Sequence, residues 1–172
     1  TELTADSKRK IIDVNIEDLL TRGVIKLDNE GLNDFIRAKK VLVTGGGGSI
    51  GSELAHQILN FKPRELIIFD IYENTTYDVQ LELKQRIEEE RLDVHLVVYI
   101  GSVYNEARLE AVFAQHKPQL VFHAAAYKHV PLMEDSAVEA VRTNVLGTYN
   151  TAKLSDKYSV EKKGLVSSDK KG

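Results

Sequence analysis

The chain has 172 residues, 42% hydrophobic and 28% charged, which suits one α/β domain with a substantial core. Its formal net charge of −3 gives no sign of a basic surface, so nucleic-acid binding is not expected. The sequence lacks cysteine, which excludes a disulfide framework and a cysteine-based zinc site, and no metal is expected. No apolar run approaches the roughly 18 residues of a transmembrane helix, so no membrane segment is expected here.

Apolar, strand-like runs alternate with helical patterns after an N-terminal arm. We expect residues 1–38 to form this arm, which ends in a short helix, and residues 39–172 to form one α/β domain. Such alternation predicts a Rossmann-type, doubly wound parallel sheet, for which we expect the strand order 3-2-1-4-5. The predicted strands cover residues 40–44, 65–70, 94–100, 120–123 and 164–168, and the predicted helices between them about 50–59, 76–91, 105–116 and 136–158. On the last helix, the predicted core stripe consists of Val138, Val141, Val145, Tyr149 and Ala152.

A glycine cluster separates the first predicted strand from the helix that follows it. Gly45, Gly48 and Gly51 have the spacing G-x-x-G-x-x-G, and Gly46 also completes a G-x-G-x-x-G pattern. A strand, a glycine turn and a helix together can hold a phosphate, because the helix N-terminus presents free N–H groups and a partial positive charge. The alternative is a glycine-rich surface loop.

An acidic residue stands where a dinucleotide-binding site needs one. Asp70 ends the second predicted strand, 19 residues after Gly51. A carboxylate there can accept hydrogen bonds from both ribose hydroxyls of an adenosine, and it repels a 2′-phosphate. Because residues 71–73 (Ile-Tyr-Glu) supply no arginine for such a phosphate, NAD is favoured over NADP. A capping carboxylate is the alternative.

Several strings resemble one family. Residues 44–54 resemble the cofactor turn of the extended short-chain dehydrogenases/reductases. Residues 122–134 (Phe-His-Ala-Ala-Ala-Tyr-Lys-His-Val-Pro-Leu-Met-Glu) are similar to the nucleotide-sugar 4,6-dehydratases of polysaccharide biosynthesis. Residues 144–148 (Asn-Val-Leu-Gly-Thr) and 167–170 (Ser-Ser-Asp-Lys) fit the same family. The resemblance extends from about residue 11 to residue 170.

This resemblance implies NAD as the cofactor and a UDP-N-acetylglucosamine-like nucleotide sugar as the substrate. The residues implied to bind the cofactor are Gly45, Gly48, Ser49, Ile50 and Gly51 at the pyrophosphate, Asp70 at the adenosine ribose, Ala124, Ala125 and Ala126 on the nicotinamide side, and Asn144 at the asparagine position of short-chain dehydrogenases. Those implied near the sugar nucleotide are Lys128 and His129, and those implied to be catalytic are Ser168, Asp169 and Lys170.

The implied reaction converts a UDP-N-acetylhexosamine into a 4-keto-6-deoxy sugar for a surface polysaccharide or glycan. By resemblance, Asp169 is the acid, Lys170 is the base at C5, and Ser168 hydrogen-bonds the C4 oxygen; a neighbouring carboxyl and amine can divide acid and base work. One alternative is a nucleotide-sugar epimerase or reductase with the same NAD-binding half. Another is a non-catalytic dinucleotide-binding module. The presence of Asp169 and Lys170 disfavours this alternative, because NAD binding alone needs neither residue.

The sequence departs from the family pattern at two places. Gly101-Ser102 stands where the family usually has Gly-Asp, so an aspartate contact to adenine is expected to be missing. The sequence stops at Gly172, before the family's Tyr- or Met-x-x-x-Lys element and substrate domain, so the fold is expected to be truncated and the fragment inactive.

The arm bears on the location of the protein. Residues 14–20 resemble the linker of long, membrane-anchored members. A cytoplasmic location is expected. The resemblance of the arm adds an alternative, in which upstream helices anchor a full-length parent to the inner membrane. The oligomeric state is left open, and a homo-oligomer is among the alternatives.

Overall fold

The computed structural model describes residues 29–125 and 146–165. In these ranges five parallel strands form one sheet in the order β3-β2-β1-β4-β5, as the sequence predicts for a Rossmann-type fold. The elements in chain order are α1 (Asn29–Ile36), β1 (Lys40–Thr44), α2 (Ser49–Asn60), β2 (Glu65–Asp70), α3 (Glu73–Glu89), β3 (His95–Ile100), α4 (Glu106–His116), β4 (Leu120–His123), α5 (Gly147–Lys157) and β5 (Lys162–Leu165).

The two faces of the sheet carry separate apolar cores, because alternate side chains of a strand point to opposite faces. Helices α1, α2 and α3 cover one face, and α4 and α5 cover the other. Buried members of the first core are Leu32, Val41, Val43, Leu54, Ile58, Leu66, Ile68 and Leu83. Buried members of the second are Leu42, Ile67, Phe69, Leu109, Phe113 and Leu154. Both faces of the central strands are thus covered, which explains their continuous apolar runs.

Strand β5 begins earlier than the sequence predicts. Its first residue is Lys162, paired with Leu120 of β4, whereas the predicted strand begins at 164. Lys162 and Lys163 lack the apolar pattern of a strand because β5 is at the edge of the described sheet, where exposed lysines are common. The predicted residues 166–168 lie outside the described ranges.

Helix α5 buries a different face from the predicted one. Tyr149, predicted to face the core, is 60% exposed, whereas its neighbour Asn150 is buried together with Leu154. The Asn150 side chain donates hydrogen bonds from Nδ2 to the carbonyl oxygens of Val103 and Tyr104, at 3.1 and 3.2 Å. An apolar stripe cannot predict a buried polar residue whose partners come from another segment, so the prediction for Tyr149 was wrong. The three valines of that stripe lie outside the described residues.

No helix in the described ranges is long and apolar enough to cross a membrane.

Adjacent substitutions on α5 test this packing. We expect Asn150→Ala to lower the free energy of unfolding by about 1–3 kcal/mol, because the carbonyls of Val103 and Tyr104 lose their donor. Tyr149→Ala, at an exposed position, is expected to change it by no more than about 0.5 kcal/mol. Urea denaturation measures both. A larger loss for Tyr149→Ala would mean that the helix face is misassigned.

Candidate functional site

Eight of the predicted site residues fall in the described ranges. They lie at the carboxyl edge of the sheet, where the central strands end and where open α/β sheets bind their ligands. These residues are Gly45, Gly48, Ser49, Ile50, Gly51, Asp70, Ala124 and Ala125. The remaining ones lie outside the described residues and stay predictions: Ala126, Lys128, His129, Asn144, Ser168, Asp169 and Lys170.

The turn after β1 lies against the end of β4. Gly45 has a φ of +73°, which favours glycine, and a Cβ there would lie 2.5 Å from the carbonyl carbon of Ala124 and the nitrogen of Ala125. The Gly45 N–H donates to the Phe69 carbonyl oxygen at 2.7 Å, and the Ala124 N–H donates to that of Thr44 at 2.9 Å. Backbone hydrogen bonds to β2 and β4 therefore hold the turn on both sides. A side chain at Gly45 would prevent its close approach to the end of β4.

The glycines of the turn have different roles. At Gly51, in the first turn of α2, a Cβ would lie 2.0 Å from the Gly45 carbonyl oxygen, so this glycine lets the helix approach the turn. At Gly46 a Cβ would lie 2.5 Å from Cγ2 of Ile68, so Gly46 is required by core packing. Gly48 is exposed, and a Cβ added there would have the Gly45 carbonyl oxygen as its nearest neighbour, at 3.4 Å. Only Gly48 of these four faces open space.

Open space at Gly48 coincides with the N-terminus of α2. Gly48 is the N-cap, with φ −79° and ψ 171°, and has no side chain that could cap the helix. The first turn contains no acidic residue. The N–H groups of this turn can therefore hydrogen-bond an anion, which the helix dipole also favours.

Asp70 binds the turn to the end of β2. The residue is 6% exposed; its Oδ2 accepts a hydrogen bond from the Gly47 N–H at 2.9 Å and its Oδ1 one from the Tyr72 N–H at 2.8 Å. An ionised carboxylate has about four acceptor positions, so each oxygen keeps capacity for a further donor such as a ribose hydroxyl. The sequence predicts only the ligand role of Asp70, and the contact with the turn is a second one.

Ser102 closes a local turn at the end of β3. Its Oγ accepts a hydrogen bond from the Tyr104 N–H at 3.1 Å. Position 102 thus carries a hydroxyl instead of a carboxylate. The nearest strand end with an acidic residue is that of the neighbouring strand β2, which ends in Asp70.

His123, to which sequence analysis assigns no role, lies at the centre of this edge. It ends β4, is 5% exposed, and its Nδ1 is 2.6 Å from Oγ1 of Thr44. Two hydroxyls of α5 approach the same ring: Oγ1 of Thr148 lies 3.3 Å from Nε2 and Oγ1 of Thr151 lies 3.4 Å from Nδ1. Burial lowers the pKa of His123 to about 4, because the imidazolium loses its hydration. The ring is therefore neutral at pH 7.

A second polar cluster occupies the opposite, amino edge of the sheet. Glu65 accepts hydrogen bonds from His116 at 2.6 Å and His95 at 2.8 Å, and the other nitrogen of His116 is 2.5 Å from the Tyr99 hydroxyl. Burial raises the pKa of Glu65, but the two histidines together outweigh it, and the pKa lies below its ordinary value of 4.5. In the part of the chain that is described, no three His, Cys, Asp or Glu side chains are placed to hold a metal ion. The cluster joins β2, β3 and α4 and is structural.

The comparisons with known proteins agree with this geometry. The sequence pattern of a family described as "Polysaccharide biosynthesis protein" matches residues 41–171. The chain belongs to this family. The match includes every predicted site residue from the glycine turn to Lys170.

Three similar proteins illustrate the family. A probable polysaccharide biosynthesis protein, EpsC of Bacillus subtilis, is 41% identical over 94% of this chain and 26% of its own length. A UDP-N-acetylglucosamine 4,6-dehydratase (inverting) of Campylobacter jejuni is 34% identical over 77% of this chain and 37% of its own length. The structure of the Bordetella bronchiseptica enzyme WbmG in complex with NAD and UDP superposes with a TM-score of 0.60 at 30% identity, covering 73% of this chain and 36% of WbmG. The chain thus spans about a quarter to two fifths of the length of these proteins.

The same substitution at two glycines tests the geometry of the turn. We expect Gly51→Ser to lower the free energy of unfolding by about 1–3 kcal/mol or more, because the new Cβ overlaps the Gly45 carbonyl oxygen. Gly48→Ser should change it by no more than about 0.5 kcal/mol, because there is room and serine is a good N-cap. Thermal and urea unfolding provide the comparison, and equal losses at both positions would contradict the assigned roles.

The buried neutral ring of His123 makes stability depend on pH. The unfolded chain takes up a proton at this histidine near pH 6.5, whereas the folded chain resists it down to about pH 4. Stability should therefore fall as the pH decreases from 6.5 to 4, by about 3 kcal/mol from this group. We expect His123→Asn to be less stable at pH 7 but to lose less stability on acidification. Parallel pH profiles for the two proteins would show that His123 is not a buried neutral group.

Proposed function

We propose that this chain is the NAD-binding part of a nucleotide-sugar 4,6-dehydratase that acts on a UDP-N-acetylhexosamine in polysaccharide biosynthesis. One observation carries the proposal: a glycine turn opens onto the N-terminus of α2 at Gly48, next to an acidic residue that ends β2, in a chain of this family. The Campylobacter dehydratase and the NAD and UDP of the WbmG structure support the proposed reaction and ligands. We propose residues 39–172 as this domain and residues 1–38 as the arm that precedes it.

In this proposal the pyrophosphate of NAD binds in front of Gly48, hydrogen-bonded by the N–H groups of Ser49, Ile50 and Gly51. Exposure of Gly48 and the absence of acidic residues from the first turn of α2 support this assignment. The adenosine ribose would bind at Asp70, whose two oxygens have acceptor capacity left. Ala124 and Ala125, with Ala126, would lie on the nicotinamide side, and Asn144 would occupy the asparagine position of short-chain dehydrogenases.

When bound, NAD supplies a hydride acceptor for the sugar C4 and then a hydride donor for C6. The chain's own residues handle the protons at C5 and C6: Lys170 would remove the C5 proton and return it to C5 when the hydride reaches C6, and Asp169 would protonate the departing C6 hydroxyl, which leaves as water. The proton that the C4 hydroxyl releases as the ketone forms balances the one that Asp169 gives up. Ser168 would hydrogen-bond the C4 oxygen, while Lys128 and His129 would contact the sugar nucleotide. The family resemblance of residues 122–134 and 167–170 supports these roles.

A second candidate function is a nucleotide-sugar 4-epimerase. A UDP-glucose 4-epimerase of Rickettsia rickettsii is 34% identical over 77% of this chain, which favours this alternative over a reductase. Incubation of the full-length protein with UDP-N-acetylglucosamine and NAD separates the candidates when the products are resolved by liquid chromatography, which distinguishes isomers, and detected by mass spectrometry. A dehydratase loses water and gives a 4-keto-6-deoxy product, an epimerase gives an isomer of unchanged mass, and a non-catalytic module gives neither. The proposal requires the first outcome.

Asp70 is expected to set the choice of cofactor. The wild-type protein should bind NAD more tightly than NADP, because the carboxylate repels a 2′-phosphate. Asp70→Asn should weaken NAD binding by about tenfold and reduce the preference, because the amide has one acceptor oxygen instead of two and no charge. Asp93→Asn, at an exposed acidic residue before β3, is the matched control and should bind both cofactors like the wild type. Equal or tighter NADP binding by the wild type in calorimetry would refute the role of Asp70.

Turnover tests the proposed acid and base. In the full-length protein, Asp169→Asn and Lys170→Ala should each lower turnover by about 10²-fold or more, the usual effect of losing a positioned acid or base. Affinity for NAD should change little, since neither residue is assigned to the cofactor. If both residues only form a turn, turnover will stay within a few-fold of the wild type, and the catalytic assignment fails.

A further inference from the structure

We propose that His123 is a positioning residue that couples helix α5 to the cofactor-binding turn through hydrogen bonds with Thr44 and Thr148. The inference rests on the proposed binding of NAD at that turn. It assigns a role to a buried side chain that the proposed reaction does not use.

The coupling runs through a short series of polar contacts. Thr44, the last residue of β1, places Oγ1 2.6 Å from Nδ1 of His123, and Thr148, in the first turn of α5, places Oγ1 3.3 Å from Nε2. A neutral imidazole donates at one nitrogen and accepts at the other, so it can join one hydroxyl on each side. Thr151 does not replace Thr148, because its hydroxyl donates to the Gly147 carbonyl oxygen at 2.8 Å and its oxygen approaches Nδ1, the nitrogen that already faces Thr44.

Gly45 and Ala124, the residues that directly follow Thr44 and His123 in the sequence, lie against each other where β1 and β4 end. Thr44 precedes Gly45, and His123 precedes Ala124, whose carbonyl carbon would lie 2.5 Å from a Cβ on Gly45. Thr44 and His123 are also register partners in the sheet, and the Ala124 N–H donates to the Thr44 carbonyl oxygen. A shift of the imidazole therefore moves both sides of the contact that sets the position of the turn.

Filling space does not require a histidine here. An apolar side chain would fill the same place without the cost of burying an imidazole, and burial holds the pKa of this ring near 4. Three threonine hydroxyls from β1 and α5 nevertheless surround the ring, and no buried side-chain polar atom in the described ranges lacks a partner. The polar contacts thus join β1, the neighbour of β4 in the sheet, to α5, which covers that face of the sheet.

Thr148 gives the decisive test, because it is separated from the turn by the whole imidazole. Thr148→Val keeps the shape of the side chain and removes the hydroxyl, whereas Thr148→Ser keeps the hydroxyl. In calorimetric titration of the full-length protein with NAD, we expect Thr148→Val to weaken binding about threefold to tenfold, in line with the loss of one hydrogen bond. Thr148→Ser should restore nearly wild-type affinity. In a His123→Phe background, Thr148→Val should have no further effect.

Histidine NMR gives a second measurement that does not depend on the folding of His123→Phe. The ring signal of His123 should shift when NAD is added to the wild type, and this shift should be smaller in Thr148→Val. The control is His95, whose side chain is 70% exposed at the opposite edge of the sheet and whose signal should not move.

The outcomes separate this inference from the proposed function. If the wild type does not bind NAD, the proposed function fails. If the wild type binds NAD but Thr148→Val binds it equally well, even with reduced stability, the positioning role of His123 is refuted and NAD binding stands. An equal effect of Thr148→Val with and without His123, or an unchanged His123 signal on NAD addition, also refutes it.

Discussion

The candidate site depends on one close approach, between the Cα of Gly45 and the backbone of Ala124 and Ala125. A side chain on Gly45 would push β1 and β4 apart where both strands end, and the left-handed backbone that turns the chain would be strained. Gly51 is under a similar constraint. A Cβ on Gly51 would overlap the Gly45 carbonyl oxygen, so α2 can pack against the turn only with a glycine at this position. Two contacts between backbones thus fix the direction in which α2 presents its N–H groups.

The two edges of the sheet differ in the partners of their buried carboxylates. At the amino edge, each oxygen of Glu65 accepts a hydrogen bond from a histidine side chain, one from His95 and the other from His116. At the carboxyl edge, the exposed Gly48 begins a helix without a side-chain cap, and Asp70 has acceptor capacity beyond its two backbone partners. Parallel sheets bind ligands at the carboxyl edge because such donors and acceptors converge there. We therefore assign the candidate site to the carboxyl edge, where an uncapped helix N-terminus lies next to Asp70, and a structural role to the histidine and glutamate cluster.

Much of the fold could be predicted from the sequence, because the central strands are apolar runs bounded by clear breaks. Strands β1, β2 and β4 have the predicted bounds, and the strand order is the one expected for a Rossmann-type sheet. Strand β5 and helix α5 were harder, since an edge strand tolerates lysines and the buried Asn150 is satisfied by carbonyls some 46 residues away. Periodicity reports apolar faces only, so polar burial that depends on tertiary partners is invisible to it.

The site was predictable to a similar degree. The spacing of Gly45, Gly48 and Gly51 and the position of Asp70 carry a local mechanism, and the structure brings these residues to one edge. The second role of Asp70 and the burial of His123 depend on Gly47, Thr44 and Thr148, which come together only in the folded chain. A histidine that ends a buried strand directly before small residues is the one signal that the sequence offered for His123.

Hydrogen exchange with and without saturating NAD tests the central claim, that the turn at the carboxyl edge binds the cofactor. The account predicts slower exchange of the amides of residues 47–52 and 70–72 when NAD is present, because the first-turn N–H groups of α2 become bonded and Asp70 is covered. Amides around His95 and His116, at the amino edge, should exchange as before. Unchanged exchange at residues 47–52 under saturating NAD, or protection confined to the amino edge, would contradict the account.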